Sequence, residues 1–372
     1  MLTLLLYCCA ISNAQGQDAY LFIGTYTKSK PAKGIYVYRF NCATGALIKV
    51  SAAHNIINPS YITLAPNGKY LYACTETKMP GAGSVSAFTF DSGTGQLAFI
   101  NKQPSGGENP VYVTVNNTGK WLVNANYTGG SLAAFPINPD GSLNPASEII
   151  PFDDSSSNKE RQDKSHIHTT VFSLEQDYLL AADLGADKIR IFTFNPLDQQ
   201  PLQPAAVPFA RTKPGSGPRH LAFHPNGKFV YSIEELSGTV AVYAYHDGQL
   251  RPVQRIASYA RQQEEYASAD IHISPDGLFL YTSNRDGENS IAIFAINETT
   301  GLPTLVGHQY TGGRQPRNFV IDPTGRYLLV ANLASNKVVV FKRDTSTGLL
   351  TDTGIKIKVP HPSCLQIRKY GQ

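Results

Sequence analysis

Charged side chains are scarce in this 372-residue chain. Asp, Glu, Lys and Arg make up 16% of it, against roughly 25% in ordinary soluble domains. Disordered chains are charge-rich and aromatic-poor, so 10% aromatics and 42% hydrophobic residues exclude that class. No run of Lys or Arg stands out and the net charge is only +4, so no nucleic-acid footprint is visible. No stretch sustains a helical hydrophobic period. Cysteine is sparse: beyond Cys8 and Cys9 there remain Cys42, Cys74 and Cys364, an odd number without a C-x-x-C pair. That argues against a disulfide framework and for buried apolar cysteines. No G-x-S-x-G elbow exists, and no helix follows the PGSG turn at 214–217. Gly81-Ala82-Gly83 sits in a hairpin loop and opens no helix, so no nucleotide site is expected.

The apolar run Leu2 to Ile11 is too short to span a bilayer as a helix. Ser12-Asn13-Ala14 follows it, a small-x-small cleavage pattern, although no Lys or Arg precedes the run. The expectation is a signal peptide over 1–14, and a periplasmic or secreted chain with a single domain over 15–372. Without a signal, the chain would be cytoplasmic.

What is present is a repeat. PNGKYLY (66–72), NTGKWLV (117–123), HPNGKFVY (224–231), SPDGLFLY (274–281) and DPTGRYLL (322–329) each run from a turn into an aromatic-led strand. SLEQDYLL (173–180) and a truncated DAYLFIG (18–24) fit the same slot. The aromatic anchors are Tyr20, Tyr70, Trp121, Tyr178, Phe229, Phe279 and Tyr327, spaced 48 to 57 residues apart. Segments such as GTVAVYAY (238–245) and NSIAIFAI (289–296) supply a third strand, and a weaker fourth follows each. The 31 glycines and 24 prolines punctuate them. Four strands repeated at this period predict an all-β, seven-bladed β-propeller with four antiparallel strands per blade. The first copy lacks its innermost strand. HPSCLQIRK (361–369) is the spare one, and the ring is predicted to close where it joins the N-terminal blade.

Superposing the copies on the turn glycine exposes rings of equivalent residues. Eight residues back lie Ser60, Val111, His168, Arg219, Ala269 and Arg317, with Ser363 from the closing strand. Eight forward lie Tyr26, Glu76, Tyr127, Leu184, Glu235, Arg285 and Leu333. Seven forward lie polar residues throughout, among them Asn126, Asp183, Glu234 and Asn284. Both sets belong to one rim of the central channel, where gathered charges cost energy unless they are paired or make a site. The longest polar insertion, DDSSSNKERQDK (153–164), enters from the same side as a potential lid or wall, and QQEEY (262–266) lies on that face too. A salt bridge between neighbouring blades is the alternative role for each charge.

With these residues in hand, the sequence resembles the seven-bladed lactonase family, the 6-phosphogluconolactonase group that also includes carboxymuconate-lactonizing enzymes. PGSGPRHLAFHPNGKFVYSIEELSGTVAVY (214–243), IHISPDGLFLYTSNRDGENSIAIF (271–294) and TGGRQPRNFVIDPTGRYLLVANLASNKVVVF (311–341) carry the resemblance. It implies a carbohydrate-metabolism hydrolase with His168, Arg219 and Glu235 as catalytic residues and Arg285 as an anion contact. At the entry to blade four, SHIHTTVF (165–172) replaces the family's more usual Pro-His pattern. The superposition adds Arg317, Glu76, Asn126 and Asp183 as substrate-binding residues.

Lactone hydrolysis needs a base for water, a partner for the oxyanion and a proton for the leaving oxygen. His168 or Glu235 can act as the base. Arg219 can hold the oxyanion, and Arg285 or Arg317 a phosphate or carboxylate. No cofactor is expected. His166-x-His168 is too little for a zinc site, so the expected chemistry is metal-independent. Of the other histidines, His220 and His224 read as structural, and His272 as a candidate for the channel lining. The expected partner is a small anionic lactone or sugar acid, with 6-phospho-D-glucono-1,5-lactone as the substrate the resemblance implies, and with neither nucleic acid nor membrane. The alternatives are a muconate-type lactonizing cycloisomerase and a non-catalytic secreted binding propeller.

Overall fold

The computed structural model describes residues 18–28, 33–77, 81 and 83–370. The segment read as a signal peptide, 1–14, lies outside the described residues. Seven four-stranded antiparallel sheets make up the fold, and the one helical element among the described residues is the 3₁₀ turn Leu333–Ser335. The aromatic anchors open the second strand of six blades: Tyr70–Thr75, Trp121–Asn126, Tyr178–Asp183, Phe229–Glu234, Phe279–Asn284 and Tyr327–Asn332. In the first blade that strand is Asp18–Thr25. The C-terminal strand Pro362–Lys369 pairs with it antiparallel, Leu21 opposite Ile367 and Gly24 opposite Cys364. The ring therefore closes as the sequence predicts, and the first blade gains its fourth strand.

Burial follows position in the blade. Second strands are covered on both faces by neighbouring blades, and four of them are buried at every residue. That is why their opening residues, such as Trp121–Val123 and Tyr327–Val330, are apolar on both faces rather than alternating. Fourth strands such as Gln96–Pro104 and Gln249–Ala257 lie at the outer edge and alternate between half-buried and exposed. Cys42, Cys74 and Cys364 are free and buried, as expected of small apolar residues.

The anchors also explain the repeat. Each reaches over the turn between strands three and four of the next blade. Tyr20 donates to the Ser92 carbonyl, Tyr70 to that of Pro139, Trp121 to that of Pro196 and Tyr327 to that of Ala43. Where the turn carries glycine, the ring lies flat against it. Gly141 has φ +82°, and a Cβ there would lie 2.2 Å from the Tyr70 ring. Gly141→Ala is expected to destabilise the fold by about 1–3 kcal/mol, read as a lower denaturant midpoint at an unchanged m-value.

Candidate active site

Inner strands run away from one rim, and the second strands return to it. This brings the residues eight back and eight forward of the turn to the same mouth of the channel. A cleft of about 200 Å³ opens there, with Glu76, Tyr127, Arg161, His168, Glu235, Arg285 and Arg317 among its lining residues. Beneath it the channel narrows between Ser60, Val111, His168, Arg219, Arg317 and Ser363, six members of one predicted ring. The seventh, Ala269, contributes its carbonyl, which accepts from Arg219 Nη1.

Glu235 is the hub. Its Oε1 accepts from Arg161 Nη2 at 2.6 Å. Its Oε2 lies 2.9 Å from Arg219 Nε and 3.0 Å from Arg285 Nη2. Burial alone would raise this carboxyl, but Arg285, Arg219 and Arg161 outweigh it and hold it down to about 2. Glu235 is thus a permanent carboxylate and a weak proton acceptor. Arg219 is fully buried. Burial, then Arg317 and Arg285, pull its guanidinium down, but beside Glu235 it stays charged. Arg317 lies over the Tyr26 ring at 5.5 Å and 4.0 Å from Glu76, whose carboxylate accepts from Tyr26 Oη at 2.6 Å.

His168 shows the opposite condition. Burial, then Arg219, His220 and Arg317, lower its pKa well below the ordinary imidazole value. At neutral pH the ring is uncharged and its lone pair is open to a proton, although the same lowering makes it a weaker base than a free imidazole. Its Nδ1 is buried with no hydrogen-bond partner among the described residues. Buried polar atoms are nearly always satisfied, so this one calls for a reason. The ring packs edge-on against Tyr127 and His220, at 5.4 and 5.2 Å.

Two expected substrate-binding residues are corrected. Asn126 and Asp183 do not line the cleft. Successive side chains on a strand point to opposite sides, so residues seven forward face the blade when those eight forward face the channel. Asn126 donates to the Ser105 carbonyl, tying down the linker from the preceding blade. Asn284 does the same to Ser258, and Asn332 to Thr311. Asp183 binds Arg190 through Nε and Nη2, at 2.9 and 2.7 Å, and Arg190 in turn pairs with Asp154 of the insertion at 2.6 Å. Gly185 lets the end of the insertion pass, since a Cβ there would lie 1.8 Å from the Lys164 carbonyl. Asp183 therefore anchors the inserted wall without lining the cleft.

That wall supplies Arg161, which the superposition missed because it lies in an insertion with no counterpart in the other copies. The available signal was its place in the long polar loop ahead of His168. Asn109 also lines the cleft and was missed. The 262–266 loop does not line it; its Tyr266 instead packs against Tyr259 at 5.0 Å. His220 and His224 are buried and bonded across blades. His272 lies in a separate cavity at the opposite mouth.

Fold and cleft define a class: a seven-bladed propeller with an arginine-rich polar cleft at one mouth of its channel. The chain belongs to the 7-bladed β-propeller lactonase family, whose model matches residues 20–367, and is thereby a lactone-ester hydrolase by family. A 6-phosphogluconolactonase of Formosa agariphila is 44% identical to it, over 94% of this chain and 99% of that one. The crystal structure of a Bacteroides fragilis protein assigned as a 6-phosphogluconolactonase superposes with a TM-score of 0.91 at 43% identity, over 95% and 99% of the two chains. A periplasmic gluconolactonase of Pseudomonas aeruginosa superposes with a TM-score of 0.88 at 36% identity, over 94% and 99%. Among the described residues, no helix is long and apolar enough to cross a membrane.

Proposed function

We propose that this protein hydrolyses a six-membered sugar lactone, 6-phospho-D-glucono-1,5-lactone, to the open sugar acid. The observation that carries this reading is the pairing of a neutral buried histidine with three arginines around one cleft and a fourth, Arg219, beneath it. His168 takes a proton from water as the water oxygen bonds to the lactone carbonyl carbon. Arg219 stabilises the oxyanion that forms there. The bond from that carbon to the ring oxygen then breaks, and the ring oxygen receives the proton from His168. The new carboxylic acid ionises and releases a proton to solvent. Glu235 holds the guanidiniums in place, while Arg285, Arg317 and Arg161 hold the phosphate. All of these steps run on side chains and water.

A second reading concerns the substrate's charge. The apolar N-terminal segment and the likeness to a periplasmic gluconolactonase favour an exported enzyme acting on unphosphorylated glucono-δ-lactone. A pH-stat assay of protein starting at Gln15, corrected for spontaneous opening, decides between the two. Acceleration of the phosphorylated lactone alone supports the first reading, preferential acceleration of the neutral one the second, and acceleration of neither defeats both.

Arg161 separates the two substrates further. Its side chain is 43% exposed, the most of the three cations on Glu235, so it turns toward a ligand most freely. Arg161→Gln is expected to raise KM for the phosphorylated lactone roughly 5-fold, the scale of a solvent-screened ion pair. Its effect on glucono-δ-lactone is expected to be smaller, as steady-state kinetics on both substrates would show.

A further inference from the structure

The channel holds a second polar cluster, below the cleft, that the proposed chemistry does not use. His220 follows Arg219 on the inner strand Pro218–Phe223 of blade five. Its Nδ1 lies 2.7 Å from Asp270 Oδ1, on the inner strand Ser268–Ile273 of blade six. Its Nε2 lies 3.1 Å from Arg219 Nη1. We propose that Asp270 and His220 are positioning residues that orient the guanidinium of Arg219 for the reaction.

A guanidinium has only N–H donors. The His220 nitrogen facing it must therefore carry the lone pair, and the ring proton must sit on Nδ1. Asp270 selects that tautomer by accepting from it. Burial and the neighbouring Arg219 lower His220 to about 4, so the ring stays neutral and Nε2 stays an acceptor. Two hydrogen bonds then fix the arginine fork, both from Nη1, to the Ala269 carbonyl and to His220 Nε2, while Nε makes only an ion-pair contact with Glu235 Oε2. Among the described residues Nη2 carries no such bond, and it is the donor left over for a ligand.

Asp270 is itself held in place. Its Oδ2 accepts from Asn318 Nδ2, from the Phe319 N–H at 3.2 Å and from His272 Nε2 at 3.0 Å. Asn318 Oδ1 accepts from the Leu365 N–H of the closing strand at 2.6 Å. The orientation of Arg219 thus depends on the registration of four inner strands, those of blades five, six, seven and one. Supporting partners of this kind, studied behind metal ligands, typically change activity 10- to 100-fold when lost.

Three variants and one spectrum test this. His220→Leu removes the acceptor and is expected to lower kcat for lactone opening about 10- to 100-fold with KM nearly unchanged, because the oxyanion exists only after substrate has bound. His220→Gln puts an amide oxygen within reach of Arg219 and is expected to recover most of that loss. A purely packing role would not be rescued this way. Asp270→Asn turns an amide toward donors and is expected to lower kcat similarly; if it does not fold, the His220 pair decides. A His220→Leu kcat within twofold of wild type overturns the proposal. The kinetic arm rests on the lactonase reading, which falls separately if the wild-type protein opens no sugar lactone. Imidazole ¹⁵N NMR is independent of turnover. The expected spectrum shows His220 protonated at Nδ1 with a bare Nε2, and a proton on Nε2 in the wild type overturns the proposal on its own.

Discussion

Replacing His168 by asparagine is expected to lower kcat for lactone opening by about 10²–10⁴-fold, the range of a lost general base, while stability falls by only about 1 kcal/mol. Two observations separate the effects. The buried Nδ1 has no hydrogen-bond partner among the described residues, so removing it breaks no bond seen there. What is lost is ring packing against Tyr127 and His220. A histidine kept for structure would show the reverse, with a large loss of stability and turnover intact. The pH profile adds a check. Since burial and the neighbouring Arg219, His220 and Arg317 lower the imidazole pKa, the wild-type kcat/KM should hold its plateau below pH 6.5 and fall only as the ring protonates. The acid limb should vanish in His168→Asn. A variant that keeps wild-type turnover, or that loses it only by unfolding, removes His168 from the mechanism.

The propeller was legible because its contacts are periodic. An aromatic at each anchor position must cover the next blade's turn, as Tyr70 covers Gly141 and Tyr327 reaches Ala43. The demand therefore recurs in every copy, and the missing first strand could be matched to residues 361–369. The inner ring was legible for the same reason, since equivalent positions share a direction. Asn126 and Asp183 went wrong by one residue of register, and in a strand that reverses the side chain's direction. Arg161 was hidden for the opposite reason. It lies in an insertion placed by Asp154, Lys188 and Arg190, contacts that no repeat encodes. The His220–Asp270 pair joins two blades 50 residues apart in sequence, and nothing local marks either residue as the other's partner.

The second large effect is on stability. Glu235→Gln is expected to cost about 3–5 kcal/mol at pH 7, the scale of breaking a buried ion pair from one side. Arg219 would be left buried and Arg285 half-buried without their shared counter-charge, while the partly exposed Arg161 can turn to water. The sign with pH follows from the carboxyl's position. It is held at about 2 in the folded chain against an ordinary 4.5. Its contribution is therefore fully present above pH 4.5 and is lost as pH falls toward 2. A lowering of this size is worth on the order of 3 kcal/mol, consistent with the substitution's expected cost. Urea unfolding of both proteins should accordingly show a gap that is widest at pH 7 and narrows between pH 4.5 and 2.5. A constant gap across that range would mean that the glutamate is not charged by the three arginines. Turnover should fall as well, because Arg219 loses the counter-charge beside its Nε. Glu235→Gln with wild-type stability and no activity would instead return the role of base to Glu235.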